Sequence, residues 1–285
     1  MRHTTLMLLL ALSCATAQAT TTGVALVHGT GSQSDAYDDY WQAGMVEGVR
    51  NGLTDRNNLL VVNCDFNQYM WDDRAAGCLA GQLTSFIQNR HIDRLIVITH
   101  SNGGNVMRWI LSNPTWDARY PNIISHLAKV DAIAPSSAGT PLANAVMAGN
   151  VFESSLGWLL GYKTDAVRQQ QTGWMAVYNQ QYLLGTSGRP ALPTPFRDVV
   201  GTDVVSGFWS SQAYCGGYAQ SVGLEITQNW LSDCSDGFIE CSSASAAGTV
   251  WFRDTQKTGG SVLNHNQSRR ACFGLPAILA NDIRG

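Results

Sequence analysis

Short apolar runs along the chain alternate with segments in which apolar residues recur every three or four positions. The apolar runs predict β-strands at Gly23 to Val27, Leu59 to Val62, Leu95 to Thr99, Leu127 to Ala134, Arg197 to Gly201 and Gly248 to Phe252. The helical spacing predicts helices at Tyr40 to Val49, Ala75 to Gln88 and Asn102 to Leu111. Strands that alternate with helices indicate an α/β protein with a mostly parallel central sheet flanked by helices.

The segment from Ala145 to Pro195 departs from this alternation. It is rich in Trp, Tyr, Leu, Gly and Gln, carries few charges, and ends in a series of prolines. This composition predicts an inserted cap or lid at about residues 145–195. Two ordinary crossover helices without a gating role explain the pattern equally well.

Composition places the chain among globular proteins. Hydrophobic residues make up 45% of its 285 residues and charged residues 14%, which favours one domain over residues 20–285. The net charge of −3, with its cations scattered, predicts no nucleic-acid partner. The sequence leaves the oligomeric state open.

The amino terminus has the pattern of a secretory signal peptide. A basic start precedes the apolar run Leu6 to Leu12, and Ala17-Gln18-Ala19 forms a small-residue cleavage site. We therefore expect residues 1–19 to be removed and the mature protein to be secreted. Neither this run nor a later one reaches the roughly 20 apolar residues of a membrane span.

Six cysteines lie beyond Cys14, which is inside the predicted signal. An even number in an exported chain favours disulfides, and no C-x-x-C pair argues for zinc or for a redox site. The six are Cys64, Cys78, Cys215, Cys234, Cys241 and Cys272.

The segment Leu95-Ile96-Val97-Ile98-Thr99-His100-Ser101-Asn102-Gly103-Gly104 leads from a strand through a serine into a helix. A nucleophile in such a sharp turn needs small neighbours two residues away on each side. Gly103 supplies one of them, whereas Thr99 replaces the first glycine of the G-x-S-x-G pattern. Ser101 is therefore the candidate nucleophile, although an isolated serine here would also be an ordinary helix N-cap.

With this motif the sequence resembles the secreted bacterial lipases and esterases of the α/β-hydrolase superfamily. The resemblance follows the motif order from His28 to His265 and is weak between the motifs. It implies the α/β-hydrolase fold, a serine nucleophile and an acid and a histidine that follow the serine in the chain. It requires no cofactor and no metal.

The loop His28-Gly29-Thr30-Gly31 follows the first predicted strand. By resemblance to lipases with a His-Gly loop, the backbone N–H groups of Thr30 and Asn102 would form the oxyanion hole. His28 is then a structural residue of the loop. The absence of lysine excludes a phosphate-binding loop.

Chain order selects the candidate base. Of the histidines, only His126 and His265 follow Ser101, and His126 comes too early for an acid to precede it. His265 lies in a polar loop after the last predicted strand. It is therefore the candidate general base.

The candidate acid is Asp236, because Ser235-Asp236-Gly237-Phe238-Ile239 resembles the Asp-Gly-apolar segment of these lipases. Asp203, Asp233 and Asp254 are its rivals. Since cysteines flank both predicted catalytic loops, we expect disulfides to brace them. The expected pairs are Cys64 with Cys78, Cys215 with Cys234, and Cys241 with Cys272, although six cysteines allow many pairings.

Three functions agree with these motifs: a lipase or carboxylesterase, an extracellular polyester depolymerase, and a binding protein that keeps the fold without catalysis. The apolar residues of the predicted cap favour an ester with an apolar acyl chain, at a lipid interface in the case of a lipase. These residues are Trp158, Leu159, Leu160, Trp174 and Met175. The same triad attacks amides, so peptidase activity stays open.

Overall fold

A computed structural model describes residues 20–149 and 163–285. All the predicted strands form, and they join in one parallel sheet with the order β2-β1-β3-β4-β5-β6. The strands are β1 (Thr22–Val27), β2 (Leu59–Val61), β3 (Arg94–His100), β4 (Leu127–Ile133), β5 (Phe196–Val200) and β6 (Thr249–Arg253). The predicted mostly parallel α/β sheet is therefore confirmed, with β3 between β1 and β4.

Helices lie on both faces of this sheet. Those in the described residues are α1 (Ala43–Arg50), α2 (Cys78–Arg90), α3 (Gly103–Ser112), α4 (Tyr120–His126), α5 (Pro141–Met147), α6 (Asp165–Gln169), α7 (Thr172–Gln181), α8 (Tyr218–Gln228), α9 (Cys241–Ala244) and α10 (Leu275–Arg284). Short π-helical turns cover Tyr37–Trp41 and Asp73–Gly77, and short 3₁₀ turns cover Ser211–Tyr214, Asp254–Gln256 and Gln267–Arg269.

The first predicted helix is shorter than expected. Gln42 has φ = 66°, a left-handed conformation that no α-helix contains, so α1 begins only at Ala43. The preceding Tyr37–Trp41 instead forms the π-helical turn that brings Tyr40 to the carboxyl edge of the sheet. The carboxyl-terminal helix α10 was not among the predicted elements.

Successive residues of the central strands point to opposite faces and enter different cores. In β3, Leu95 and Val97 pack against α2, α3 and α4, whereas Ile96 and Ile98 pack against α1 and α10. All four are completely buried, and each contributes roughly 1.5–3 kcal/mol of transfer free energy. Burial on both faces explains why this strand is apolar without alternation.

The predicted cap segment is described only in part. Trp158, Leu159 and Leu160 lie outside the described residues, whereas Met175 on α7 is buried and Trp174 is 49% exposed. In the described ranges, none of the helices combines the length and apolar character that crossing a membrane requires.

One of the expected disulfide pairs is confirmed and two are wrong. Cys64 is bonded to Cys78, but Cys215 is bonded to Cys272 and Cys234 to Cys241. The short Cys234–Cys241 bridge forms because Ser235 and Glu240 pair in antiparallel fashion, which closes the intervening turn. Cys215 is thereby left to join the loop after β5 to the segment that follows His265.

Candidate active site

The carboxyl end of β3 places Ser101 in a sharp turn before α3. Its backbone has φ = 53°, a strained conformation for a residue with a side chain, and its N–H donates to the carbonyl oxygen of Ile133 at 3.0 Å. A Cβ on Gly103 would clash with the carbonyl oxygen of His28. Glycine at that position therefore allows α3 to approach the end of β1.

Three of the predicted site residues form one hydrogen-bonded chain. The Oγ of Ser101 lies 3.1 Å from Nε2 of His265, and Nδ1 of His265 lies 2.7 Å from Oδ2 of Asp236. Because a carboxylate oxygen only accepts, Nδ1 carries the ring proton and Nε2 is free to accept the serine proton. All three side chains are nearly completely buried.

The turn that follows Asp236 fixes the orientation of its carboxylate. Oδ1 accepts hydrogen bonds from the N–H groups of Phe238 at 2.9 Å and Ile239 at 2.6 Å, which leaves Oδ2 for His265. The backbone N–H of His265 also donates to the carbonyl oxygen of Asp236 at 2.9 Å. The acid and histidine loops are thus joined by both main-chain and side-chain bonds.

The rival acids have other partners or other positions. Asp254 is buried and accepts bonds from Thr202 and Leu263, which tie β6 to neighbouring loops. Asp203 accepts from Gln228, and Asp233 is exposed. His126 ends α4 and lies in a different surface pocket from Ser101.

The loop after β1 approaches the serine closely. A Cβ on Gly29 would lie 2.9 Å from Cβ of Ser101, so glycine allows the contact. The next residue, Thr30, lines the cavity at Ser101. Among the described residues, the backbone N–H groups of Thr30 and Asn102 have no acceptor. Both are therefore available to an oxygen bound beside the serine.

The side chains of these two residues are held by adjacent glutamines of α6 and its end. Gln170 donates to Oγ1 of Thr30 at 2.9 Å, and Gln169 donates to Oδ1 of Asn102 at 3.1 Å. Both glutamines are completely buried. This part of the predicted cap segment thus supports both sides of the candidate oxyanion hole, a role that sequence analysis missed.

His28 supports the glycine loop from below. Nδ1 lies 2.7 Å from the carbonyl oxygen of Gly29, Nε2 accepts from the N–H of Cys64 at 3.3 Å, and the ring stacks on Phe66. Burial lowers the pKa of His28 to about 4, so the ring is neutral at neutral pH. This environment agrees with the structural role that the sequence predicts for it.

A second buried histidine lies next to His265. The ring of His100 is 4.6 Å from that of His265, and its Nε2 lies 3.0 Å from the carbonyl oxygen of His265 and 2.9 Å from Oγ of Ser268. Its Nδ1 lies 2.5 Å from the hydroxyl of Tyr40. Burial holds the pKa of His100 well below its usual value. Sequence analysis missed this network, although His100 directly precedes Ser101.

A cavity of about 210 Å³ opens beside Ser101 and His265. Its other lining residues are Thr30, Gln33, Asp39, Tyr40, His100, Phe238, Asn266 and Arg269. The lining is thus predominantly polar. In the part of the chain that the structure describes, no group of three or more His, Cys, Asp or Glu side chains is arranged to bind a metal ion.

No protein-family model matches the chain, and no curated protein matches it in sequence. Solved structures do match. The mature lipase BlEst2 of Bacillus licheniformis is 20% identical with a TM-score of 0.67, and the match covers 92% of this chain and 91% of that one. The metagenomic carboxyl esterase MGS0156 is 15% identical with a TM-score of 0.56, and the match covers 94% and 76% of the two chains.

Lipase 1 of Pelosinus fermentans is 14% identical with a TM-score of 0.53, and the match covers 92% of this chain and 99% of that one. At such identities the likeness concerns the fold. The predicted α/β-hydrolase fold of bacterial lipases and esterases is therefore confirmed.

Proposed function

We propose that the protein is a serine hydrolase that cleaves carboxylic esters through an acyl-enzyme on Ser101. The observation that carries the proposal is the continuous chain from the Ser101 hydroxyl through His265 to Asp236. Such a chain makes a serine nucleophilic, because a base oriented by an acid takes its proton. The fold that the chain shares with lipases and esterases supports an ester as substrate.

In the first step, Oγ of Ser101 attacks the ester carbonyl carbon while Nε2 of His265 takes the hydroxyl proton. The N–H groups of Thr30 and Asn102 stabilise the negative oxygen, a contribution of roughly 3 kcal/mol for each donor. His265 then gives its proton to the leaving alcohol. In the second step, His265 takes a proton from a water molecule while the water oxygen attacks the acyl carbon. The carboxylic acid is released, and the proton returns to Ser101.

The proposed export of the protein has a separate basis. The predicted signal peptide, residues 1–19, lies outside the described residues, and the three disulfides are compatible with an oxidising compartment. Amino-terminal sequencing of protein recovered from the medium or periplasm tests this part. A chain that still begins at Met1 would contradict it.

Three hypotheses from the sequence stay predictions. They are a substrate with an apolar acyl chain, a polyester depolymerase, and a binding protein without catalysis. The first depends largely on cap residues outside the described ranges. The second predicts higher activity on insoluble polymer than on dissolved esters. The third predicts that no serine reacts, and the free N–H groups beside Ser101 argue against it.

The decisive experiment combines a fluorophosphonate probe with p-nitrophenyl esters of increasing acyl length. Ser101→Ala and His265→Ala should each lose labelling and turnover. Ser125→Ala and His126→Ala are matched controls, because both residues lie on α4 and neither lines the cavity beside Ser101. A wild-type protein that neither labels nor cleaves any ester would overturn the proposal.

A further inference from the structure

The polar lining of the cavity beside Ser101 is unfavourable for a long hydrocarbon chain. Gln33, Asp39, Asn266 and Arg269 all contribute to its wall. A hydrocarbon chain would remove water from these groups without replacing its hydrogen bonds, which costs free energy. The lining therefore favours a substrate that carries polar or charged atoms.

Among the described residues that line this cavity, Arg269 is the one with a permanent positive charge, and neighbouring groups hold its side chain in place. Its Nε donates to Oδ1 of Asn266 at 3.0 Å, and its Nη1 donates to the carbonyl oxygen of Tyr40 at 3.2 Å. The guanidinium lies over the ring of Tyr40, 4.4 Å from its centroid. A guanidinium fixed in this way loses little conformational entropy when it binds a ligand.

Within residues 20–149 and 163–285, no carboxylate lies within 4.0 Å of Arg269, and its Nη2 has no acceptor there. Burial lowers the pKa of Arg269 and lowers that of Arg270 to about 10, so both remain cationic at neutral pH. Partly buried arginines without an acid are characteristic of sites for anionic ligands.

We propose that Arg269 binds a carboxylate of the substrate, and that the preferred substrates are short esters that carry a free carboxylate group. This inference rests on the proposed ester hydrolysis at Ser101. The cavity volume of about 210 Å³ is below the roughly 300–1,000 Å³ of typical small-molecule pockets. That space suits a short acyl or alcohol group.

Asp39 provides an opposing charge in the same cavity. Its side chain is exposed, whereas Arg269 is partly buried. An anionic substrate is therefore attracted by the partly buried cation and repelled by the exposed carboxylate. Removing either charge should change the preference for anions in opposite directions.

The test compares two matched pairs of esters. For the acyl side the pair is p-nitrophenyl hydrogen adipate and p-nitrophenyl hexanoate, in which a carboxylate replaces the terminal methyl group. For the alcohol side the pair is 4-acetoxybenzoate and 4-acetoxybenzamide. The ratio of kcat/KM within each pair measures the preference for the anion and cancels general damage to the catalytic groups.

Wild-type protein should cleave the anionic member of at least one pair about tenfold more efficiently. Arg269→Gln should remove most of that preference, Arg269→Lys should retain part of it, and Asp39→Asn should increase it. Arg56→Gln removes a distant surface cation that pairs with Glu47 and should leave both ratios unchanged. If Arg269→Gln does not fold, the exposed Asp39→Asn variant still tests whether charge in this cavity sets the preference for anionic esters.

Wild-type ratios no higher than those of Arg269→Gln in both pairs would overturn the inference, as would an Asp39→Asn variant with no increased preference. In that case, cleavage of the neutral esters that depends on Ser101 would leave the proposed function intact. Failure to cleave any ester, together with no fluorophosphonate labelling, would remove both proposals.

Discussion

Among single residues, Asp236 combines two roles that one substitution separates. Its Oδ1 holds the turn through Phe238 and Ile239, and its Oδ2 orients His265. In Asp236→Asn, the amide oxygen can still hold the turn while the NH₂ group donates to Nδ1 of His265. The ring proton then moves to Nε2, where it blocks acceptance of the Ser101 proton.

We therefore expect Asp236→Asn to lower kcat by roughly 10⁴-fold with little change in melting temperature. Steady-state kinetics and thermal unfolding of the same preparation measure both quantities. Asp203→Asn is the matched control, because that carboxylate accepts from Gln228 and does not contact His265. If Asp236→Asn and Asp203→Asn lose kcat to the same extent, Asp236 contributes only to the stability of the fold.

Ser268 and His100 contact His265, the proposed base. The Ser268 hydroxyl donates to the carbonyl oxygen of His265 at 2.7 Å and also contacts His100, which is bonded to Tyr40. Ser268→Ala removes both contacts of this hydroxyl and should lower kcat roughly tenfold, about the net contribution of a hydrogen bond, with little effect on KM. Ser125→Ala, which removes an exposed hydroxyl, should have no effect; a rise in KM alone would contradict the positioning role.

Sequence order could select Ser101, Asp236 and His265 because the fold fixes the order in which its strands deliver them. Order says nothing about side chains that reach the site across the sheet. Tyr40 and Arg269 are separated by 229 positions, yet a backbone bond and a ring contact join them. The π-helical turn Tyr37–Trp41 and the positive φ of Gln42 bring Tyr40 to the cavity. The spacing of apolar residues in the sequence does not predict this turn.

Among the elements, the central strands β1 and β3 are the most readily predicted, because burial on both faces requires apolar residues at nearly every position. The disulfides were predicted least well. Their pairing depends on how loops fold back on one another. The antiparallel backbone pairing of Ser235 with Glu240, which brings Cys234 close to Cys241, is an example. The cap could be judged from composition only, and residues 150–162 lie outside the described ranges.

The Cys234–Cys241 disulfide encloses the loop of Asp236 and should contribute to activity as well as to stability. Its loop spans only seven residues, so chain entropy predicts a loss of about 2 kcal/mol when it is removed. In the Cys234→Ser and Cys241→Ser double variant, the turn around Asp236 loses this closure. We expect kcat to fall by about tenfold or more at temperatures where the fold persists.

The matched control for this double variant is a substitution that destabilises the fold far from the loop of Asp236. Asp282 on α10 bonds to Lys129 and Arg197, two residues near the amino ends of β4 and β5. Asp282→Asn should lower the unfolding free energy while leaving kcat at the wild-type value. If the double cysteine variant also retains wild-type kcat, the disulfide serves stability alone.

For the whole molecule, buried titratable groups give stability an optimum in pH. His28 and His100 have lowered pKa values, so between their folded values and 6.5 the unfolded chain binds more protons and stability rises with pH. Burial instead raises the pKa of Asp131 to about 6 and that of Asp198 to about 9. For these carboxyls the folded chain binds more protons, so their contribution to stability falls as pH rises from 3.8.

Among these four groups Asp198 has the highest pKa in the folded chain, so it dominates the change of stability at neutral and alkaline pH. Its carboxyl is completely buried on β5, and neither oxygen has a hydrogen-bond partner among the described residues; the cation of Arg108 offsets only part of the cost of burial. Asp198→Asn keeps the shape and cannot ionise. The variant should therefore gain unfolding free energy relative to wild type by at most about 1.4 kcal/mol per pH unit between pH 6.5 and 9.

Urea unfolding at pH 5, 7 and 8.5 measures this difference directly. Below pH 4 both proteins carry a neutral group at position 198, so their stabilities should converge. Asp233→Asn, an exposed carboxylate in the acid loop segment, should follow the wild-type profile throughout. Parallel profiles for Asp198→Asn and wild type would mean that Asp198 is ionised in the folded protein, in which case Arg108 compensates for its burial.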